Sequence, residues 1–246
     1  MARSRSARQR RKNQRRNQHR RLLAEHLEQR RLLAVYTVTN TADAGIGSLR
    51  QALLDANAAS EAATIEFQIP TSDAGFVDVD SGLAGGDAEA DVFVIEPQTP
   101  LPALGNASYA ITIAGSSQTS FGGDTNPFGP EIVLDGSAQS APRIGLQLAS
   151  VGNQVDAINI RDFAQHGILI TGDGNRITGN YIGTDATGLQ VARNAEGIMI
   201  TDGSDNVIGG TELAARNVVA GNAVNIRISD GTSADNVIQG NYIGVD

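Results

Sequence analysis

A seven-residue segment, Gly179-Asn-Tyr-Ile-Gly-Thr-Asp185, returns 61 residues later as Gly240-Asn-Tyr-Ile-Gly-Val-Asp246. Within that interval Asn175-Arg-Ile-Thr-Gly, Asn206-Val-Ile-Gly-Gly, Asn217-Val-Val-Ala-Gly and Asn236-Val-Ile-Gln-Gly share the frame Asn-x-(Ile/Val)-x-Gly. The step from Asn153 to Asn175 is 22 residues, and the next two, to Asn206 and Asn236, are 31 and 30. One copy is too short to bury a face alone, so neighbouring copies must stack. Gly167-Ile-Leu-Ile170 is matched by Gly197-Ile-Met-Ile200 and more loosely by Val224-Asn-Ile-Arg-Ile228. Strand alternation puts Ile168, Ile170, Ile198, Ile200, Ile226 and Ile228 inside, with Leu169, Met199 and Arg227 outside. No helix-length segment separates these strands, which excludes a βαβ sheet. Short strands joined by Gly, Asn and Asp turns instead predict a parallel β-helix, with the extra residues of the longer steps in loops at 184–193 and 211–216. Asn175, Asn180, Asn206, Asn236 and Asn241, with Gly179 and Gly240, are its expected corner residues. Both residue types tolerate φ > 0, and stacked Asn amides can bond from coil to coil.

Such a core must be filled with small and branched aliphatics, because Trp is absent and aromatics are 4 % of the chain. Cys is absent too, which excludes disulfides, thiolate metal sites and a Cys nucleophile. No apolar run reaches the ~18 residues of a membrane helix. The net charge of −8 is unevenly spread. Residues 1–33 carry 11 Arg and Lys12 against Glu25 and Glu28, whereas residues 34–246 carry 7 Arg against 25 Asp and Glu. That sign excludes a nucleic-acid grip spread over the folded body. The leader, 1–33, is expected to be largely disordered, with a short helix over 20–33. It suits nucleic acid, an anionic membrane surface or no partner at all. It lacks the apolar stretch of ~7–15 residues that a secretory signal needs.

Residues 34–150 read as a β-rich lead-in and cap, and 151–246 as the repeats. Strands are expected at 35–39, 64–69, 92–95, 109–114 and 132–134, with an exposed acidic loop at 71–90. One helix is expected, over 49–59. Ser48 is its N-cap, Gln51 completes a capping box, and Leu49, Ala52, Leu53 and Ala56 form the buried stripe. Asn106 and Asn159 gain no role from their sequence context.

Several of these segments resemble known families. Leu27-Glu28-Gln29-Arg30-Arg31-Leu32-Leu33 resembles the LEPR-XLL segment of large planctomycete-type surface proteins, with Gln29 where the pattern has Pro. Tyr36-Thr-Val-Thr-Asn-Thr-Ala-Asp43, Gly47-Ser-Leu-Arg-Gln-Ala-Leu53, Ala56-Asn57, Ile113-Ala-Gly-Ser-Ser-Gln118, Leu134-Asp-Gly136 and the Gly-Asn-Tyr-Ile-Gly-Thr-Asp repeat resemble bacterial CSLREA-type surface proteins. Together the matches run from about residue 27 to the last residue. The resemblance implies an all-β, right-handed, pectate-lyase-like parallel β-helix with one N-terminal capping helix, placed at the cell surface or outside the cell. For Leu27, Glu28, Arg30, Leu32 and Leu33 it implies a sorting role. Ala114 departs from the pattern, standing where relatives carry an acidic residue, so no charged role is expected there.

The same fold carries pectin lyases and hydrolases, although fold alone warrants no function. Hydrolysis needs clustered carboxylates with a base and a basic clamp. The nearest material is Asp156, Asp162, His166 and Asp173 with Arg161 and Arg176. His166-Gly167 matches only part of the Gly-His-Gly of such hydrolases, and no Arg-Ile-Lys follows. A lyase wants a Ca²⁺ cage and a basic residue. Asp185, Asp202, Asp205, Asp230 and Asp235 fit turns without metal, so no cofactor is expected beyond a weak Ca²⁺ site. Tyr181 and Tyr242 recur in register and point outward, either to stack sugars or to pack between coils.

The reading favoured by these residues is a non-enzymatic structural or adhesive surface module contacting polysaccharide or another cell-surface protein. The alternatives are a carbohydrate-active enzyme or its inactive relative, and a nucleic-acid or membrane binder acting through the leader. The chain stops at Asp246 in mid-repeat. It is therefore expected to be a truncated member of a longer family or to self-associate through an open last coil.

Overall fold

The computed structural model describes residues 33–79, 89–141, 143–229 and 231–244. Most of the regular structure is short strand, and nearly all of it is paired in parallel. The first sheet contains β1 (Ala34–Val38), β2 (Ala63–Phe67), β5 (Ile111–Ala114), β8 (Gln154–Asp156), β11 (Arg176–Thr178), β14 (Val207–Gly209) and β17 (Val237–Gln239), in that order. The second runs β3 (Phe76–Val77), β4 (Val92–Ile95), β6 (Ile132–Asp135), β9 (Ile158–Arg161), β12 (Tyr181–Ile182), β15 (Val218–Val219) and β18 (Tyr242–Ile243). The third holds β7 (Ile144–Leu148), β10 (His166–Ile170), β13 (Glu196–Ile200) and β16 (Val224–Ile228). From β5 onward the chain visits first, second and third sheet in strict rotation, so each strand lies beside its counterpart from the previous round. The pairing runs unbroken across residue 150, because β5 pairs with β8.

Register puts like on like. In the first sheet Ile65, Ile113, Val155, Ile177 and Ile208 stand in one column. In the second, Ile95, Leu134, Ile160, Ile182 and Val219 do the same. Leu146, Ile168 and Ile198 form the third column, and all of these side chains are buried. The outward positions Leu169 and Met199 are only half-buried, as alternation requires. Ile226 and Ile228 depart from the pattern: Ile228 is exposed and Ile226 half-buried, because β16 is the edge strand among the described residues. Gly145, Gly167 and Gly197 stack ahead of the third column. A Cβ on Gly167 would lie 2.8 Å from the Gly197 carbonyl oxygen, so no larger residue fits between rounds there.

Asparagines tie the rounds together. Asn153 donates from Nδ2 to Asn175 Oδ1, Asn175 to Asn206 Oδ1, and Asn206 to Asn236 Oδ1, each at 3.0 Å. A second ladder links Asn180 to Asn217 at 3.1 Å and Asn217 to Asn241 at 2.8 Å. A third links Asn194 to Asn222 at 3.0 Å. Each accepting oxygen also takes the backbone N–H of the preceding asparagine, as in Asn175 N to Asn206 Oδ1 at 2.8 Å. Left-handed backbone, expected at these asparagines and at Gly179 and Gly240, is found at the two glycines but at none of the ladder asparagines, most of which follow a residue of positive φ. Gly152, Gly174, Gly179, Asp205, Gly221, Asp235 and Gly240 have positive φ, each directly before a ladder asparagine. The turn residue takes the strained conformation, which leaves the asparagine free to point its amide inward.

Two α-helices occur among the described residues. The first, α1 (Leu49–Ala58), buries Leu49, Ala52, Leu53 and Ala56, and its N-cap Ser48 accepts the Gln51 N–H. The reciprocal half of the capping box does not form, because Gln51 Nε2 donates to Asp55 instead. At the other end Asn106, given no role by its sequence context, donates Nδ2 to the Ala59 carbonyl at 2.9 Å. Arg50 clamps the following loop by donating to the Pro100 and Thr99 carbonyls at 2.7 and 2.8 Å, and Asn57 Nδ2 donates to the Ala103 carbonyl at 2.8 Å. The second helix, α2 (Ser117–Gly122), was not expected. Its buried Gln118 pairs twice with the Ile69 backbone, both at 2.9 Å, finishing the line of β2, which ends at Phe67 rather than residue 69. Strand β5 likewise begins at Ile111 rather than 109. The 71–90 loop contains β3, antiparallel to β4, and its residues 80–88 lie outside the described part. No helix among the described residues is long and apolar enough to cross a membrane.

The ladders predict a graded cost. Asn206→Ala removes the acceptor of two buried donors on Asn175, at about 1–3 kcal/mol each. Urea unfolding should therefore show a loss of about 2–6 kcal/mol for Asn206→Ala. For Asn236→Ala, at a solvent-accessible round, the loss should be well under half of that.

Candidate functional site

The six residues singled out for pectin chemistry do not converge, and Asp156, on β8 in the first sheet, accepts from the Ser116 hydroxyl. His166 lies at the start of β10 in the third sheet, its Nδ1 3.1 Å from Glu196 Oε2. Glu196 is in turn bridged by Arg227 Nη1 at 2.8 Å. Arg176 is exposed on β11, in the first sheet. Asp162 sits at a left-handed corner after β9, with φ 60°. Burial, and then the Asp135 carboxylate, push its carboxyl above the ordinary range, opposed by the Arg161 guanidinium. Arg161 itself is spent on Asp135, with Nε donating to Oδ2 at 3.1 Å. Asp173 serves the backbone, its Oδ1 accepting the Ser204 N–H at 2.7 Å.

Turn chemistry also occupies Asp185, whose Oδ1 accepts from Thr187 Oγ1 at 2.8 Å and from the Leu189 and Gln190 N–H groups at 3.1 Å each. Asp202, Asp205 and Asp235 are left-handed corner residues, while Asp230 lies outside the described residues. Among the described residues no group of three His, Asp or Glu side chains is placed to hold a metal ion. Of the leader segment, Leu33 is exposed, whereas Leu27, Glu28, Arg30 and Leu32 lie outside the described residues.

The tyrosines do share a site. Tyr181 on β12 and Tyr242 on β18 flank Val218 of β15, and all three line a groove of about 270 Å³. Tyr181 is not an open outward ring. It is half-buried, packed against Gly129 and Gly188, and its hydroxyl donates to the Phe128 carbonyl. Burial first, and the Tyr242 phenol second, raise its pKa above the ordinary tyrosine value. Tyr242 is 46 % exposed, with the Arg216 guanidinium 5.5 Å from its ring centre. Arg216 Nη1 donates to the Tyr242 hydroxyl at 3.1 Å.

Glu131 closes the inner end of the groove, only 3 % exposed. Its Oε1 accepts the Thr125 N–H at 2.9 Å, and its Oε2 is buried without a hydrogen bond of good geometry, the Thr119 hydroxyl being beside it. Burial is the main cause that pushes this carboxyl up; Asp124 adds to it, and the Thr125 N–H opposes it. Arg216 Nε is likewise buried and without a partner.

The chain matches no family profile and no curated protein in sequence. What can be said of its chemistry therefore rests on this geometry. Glu131 and Arg216 were not visible in the sequence, since neither belongs to a repeated motif. Asn194 had a signal that went unused: Asn194-Ala195 and Asn222-Ala223 repeat at an offset of 28. Asn159, also given no role, is fully buried and donates to the Thr184 carbonyl at 2.9 Å, which pins the loop that covers Tyr181.

The raised Glu131 carboxyl fixes the sign of a pH effect. The folded chain holds this proton more tightly than the unfolded one, so its contribution is present below the ordinary value of 4.5 and is lost as pH rises through the folded value. Glu131→Gln keeps the acceptor for Thr125 and is neutral throughout. Melting curves should show it more stable than the parent at pH 7.5, with the difference shrinking towards zero at pH 4.

Proposed function

We propose that this chain is a non-enzymatic structural and adhesive module of the bacterial cell surface, built as a right-handed parallel β-helix of the CSLREA type. The observation that carries the reading is how the polar residues are spent. The candidates for acid–base work are distributed over different sheets and corners, with the carboxylates and His166 facing internal partners and Arg176 exposed on β11. The buried amides, by contrast, are committed to three ladders that join one round to the next. Such an interior makes a stiff support, and its regular outer faces present side chains at fixed spacing. The resemblance of residues 27–33 to LEPR-XLL segments supports delivery to the surface. The unbalanced acidic charge of the body disfavours nucleic acid as its partner. Contact with polysaccharide through the Tyr181–Tyr242 groove fits the adhesive role, since an aromatic beside polar groups is a general sugar-binding arrangement.

Two measurements test this reading together. Expressed in a bacterial host that sorts such proteins, the chain should be labelled by antibody on intact cells, and deletion of residues 1–33 should abolish labelling while the protein still accumulates. Incubated with polygalacturonate, with and without Ca²⁺, the purified chain should release neither unsaturated nor reducing ends. Product release abolished by His166→Ala or Asp173→Ala would replace the adhesive reading with an enzymatic one.

A further inference from the structure

We propose that the groove between Tyr181 and Tyr242 is a subsite for a single carboxylate-bearing sugar unit, with Arg216 as the carboxylate clamp. This narrows the adhesive reading and rests on it for the class of ligand. The groove offers three things together. Tyr242 presents an exposed ring, which suits the apolar face of a pyranose. Arg216 lies beside that ring as a cation that, among the described residues, donates its side chain to a neutral phenol and to no carboxylate, and its Nε–H is buried with no acceptor. Glu131 adds a buried carboxyl to the wall, its Oε2 beside the Thr119 hydroxyl.

Of the seven arginines of the folded body, Arg50, Arg161 and Arg227 are spent on Asp43, Asp135 and Glu196, and of the remaining four Arg216 is the one that lines this groove. Arg216 has no carboxylate within salt-bridge distance among the described residues. A guanidinium presents N–H donors in a fork that matches a carboxylate. A buried N–H left without an acceptor is unfavourable, and a bound carboxylate would relieve it. Size limits the occupant. About 270 Å³ lies at the small end of ligand sites, which run from about 300 to 1,000 Å³. One pyranose unit fits that space, with the rest of a polymer lying along the outer face.

The test uses the full chain and a matched pair of oligosaccharides: a β-1,4-linked glucuronate tetramer and its neutral counterpart, cellotetraose. The chain has no Trp, and two of its four Tyr line the groove, so the change in tyrosine fluorescence that Tyr242→Ala removes reports on the groove and calorimetry gives the affinity. The glucuronate tetramer should bind at least tenfold more tightly than cellotetraose, and more weakly in 0.5 M NaCl. Arg216→Gln should erase that preference, Arg216→Lys should retain part of it, and Tyr242→Ala should weaken both ligands. Circular dichroism identical to the parent establishes that each variant is folded. Should Arg216→Gln fail that check, the Arg216→Lys and Tyr242→Ala results decide. Equal binding of the two tetramers, both weakened by Tyr242→Ala, would overturn the carboxylate clamp while leaving the adhesive reading intact. An acidic preference that survives Arg216→Gln would place the clamp elsewhere and overturn the proposal. Absence of binding by both tetramers would also overturn it, the adhesive reading then being decided by the surface-labelling and product-release measurements.

Discussion

An asparagine carboxamide placed in an apolar interior must have its oxygen and its two N–H groups satisfied, or burying it is unfavourable. Here each round supplies the partners for the round before it. The oxygen of Asn206 takes both the side-chain and the backbone N–H of Asn175, while its own Nδ2 goes on to Asn236. A slip of one residue in strand pairing would break every such contact and would turn the aliphatic columns outward. The amides therefore hold the register, and the register in turn stacks Ile168 on Ile198 and Ile177 on Ile208. Apolar burial supplies most of the cohesion, and the amides select which of the available stackings forms.

The groove is a by-product of the same register. Tyr181 and Tyr242 face one another across Val218 because β12, β15 and β18 pair without offset. What converts a row of outward residues into a concavity is added from outside the sheet. The 126–130 turn and the start of α2 bring Gly129 and Ser116 to one wall, and the 3₁₀ turn Leu213–Ala215 builds the other. Asn126 steadies the first wall by donating to the Pro130 and Ala186 carbonyls, both at 2.9 Å.

Local signals read well from the chain and long-range ones did not. The Ser48 cap and the four-residue stripe of α1 are set by neighbours in sequence, and β4 falls where its apolar run predicts. The ladder asparagines were visible because the repeat prints them several times. Their role was half-seen: the coil-to-coil bonding follows from the amide, but the left-handed strain belongs to the residue before. Helix α2 was missed because Ser117-Gln-Thr-Ser-Phe has no apolar stripe. It is held instead by Gln118 and Ser117 bonding to the backbone around Phe67 and Ile69, some fifty positions away. Glu131 and Arg216 were missed for the same kind of reason. Their significance is the absence of a partner, a property of the folded surroundings rather than of the local sequence.

Within each ladder the carboxamide oxygen faces the preceding round, and Nδ2 donates onward wherever a further ladder asparagine stands in the next one. The dipoles of the carboxamides thus add along each ladder instead of cancelling, and each bond polarises the next.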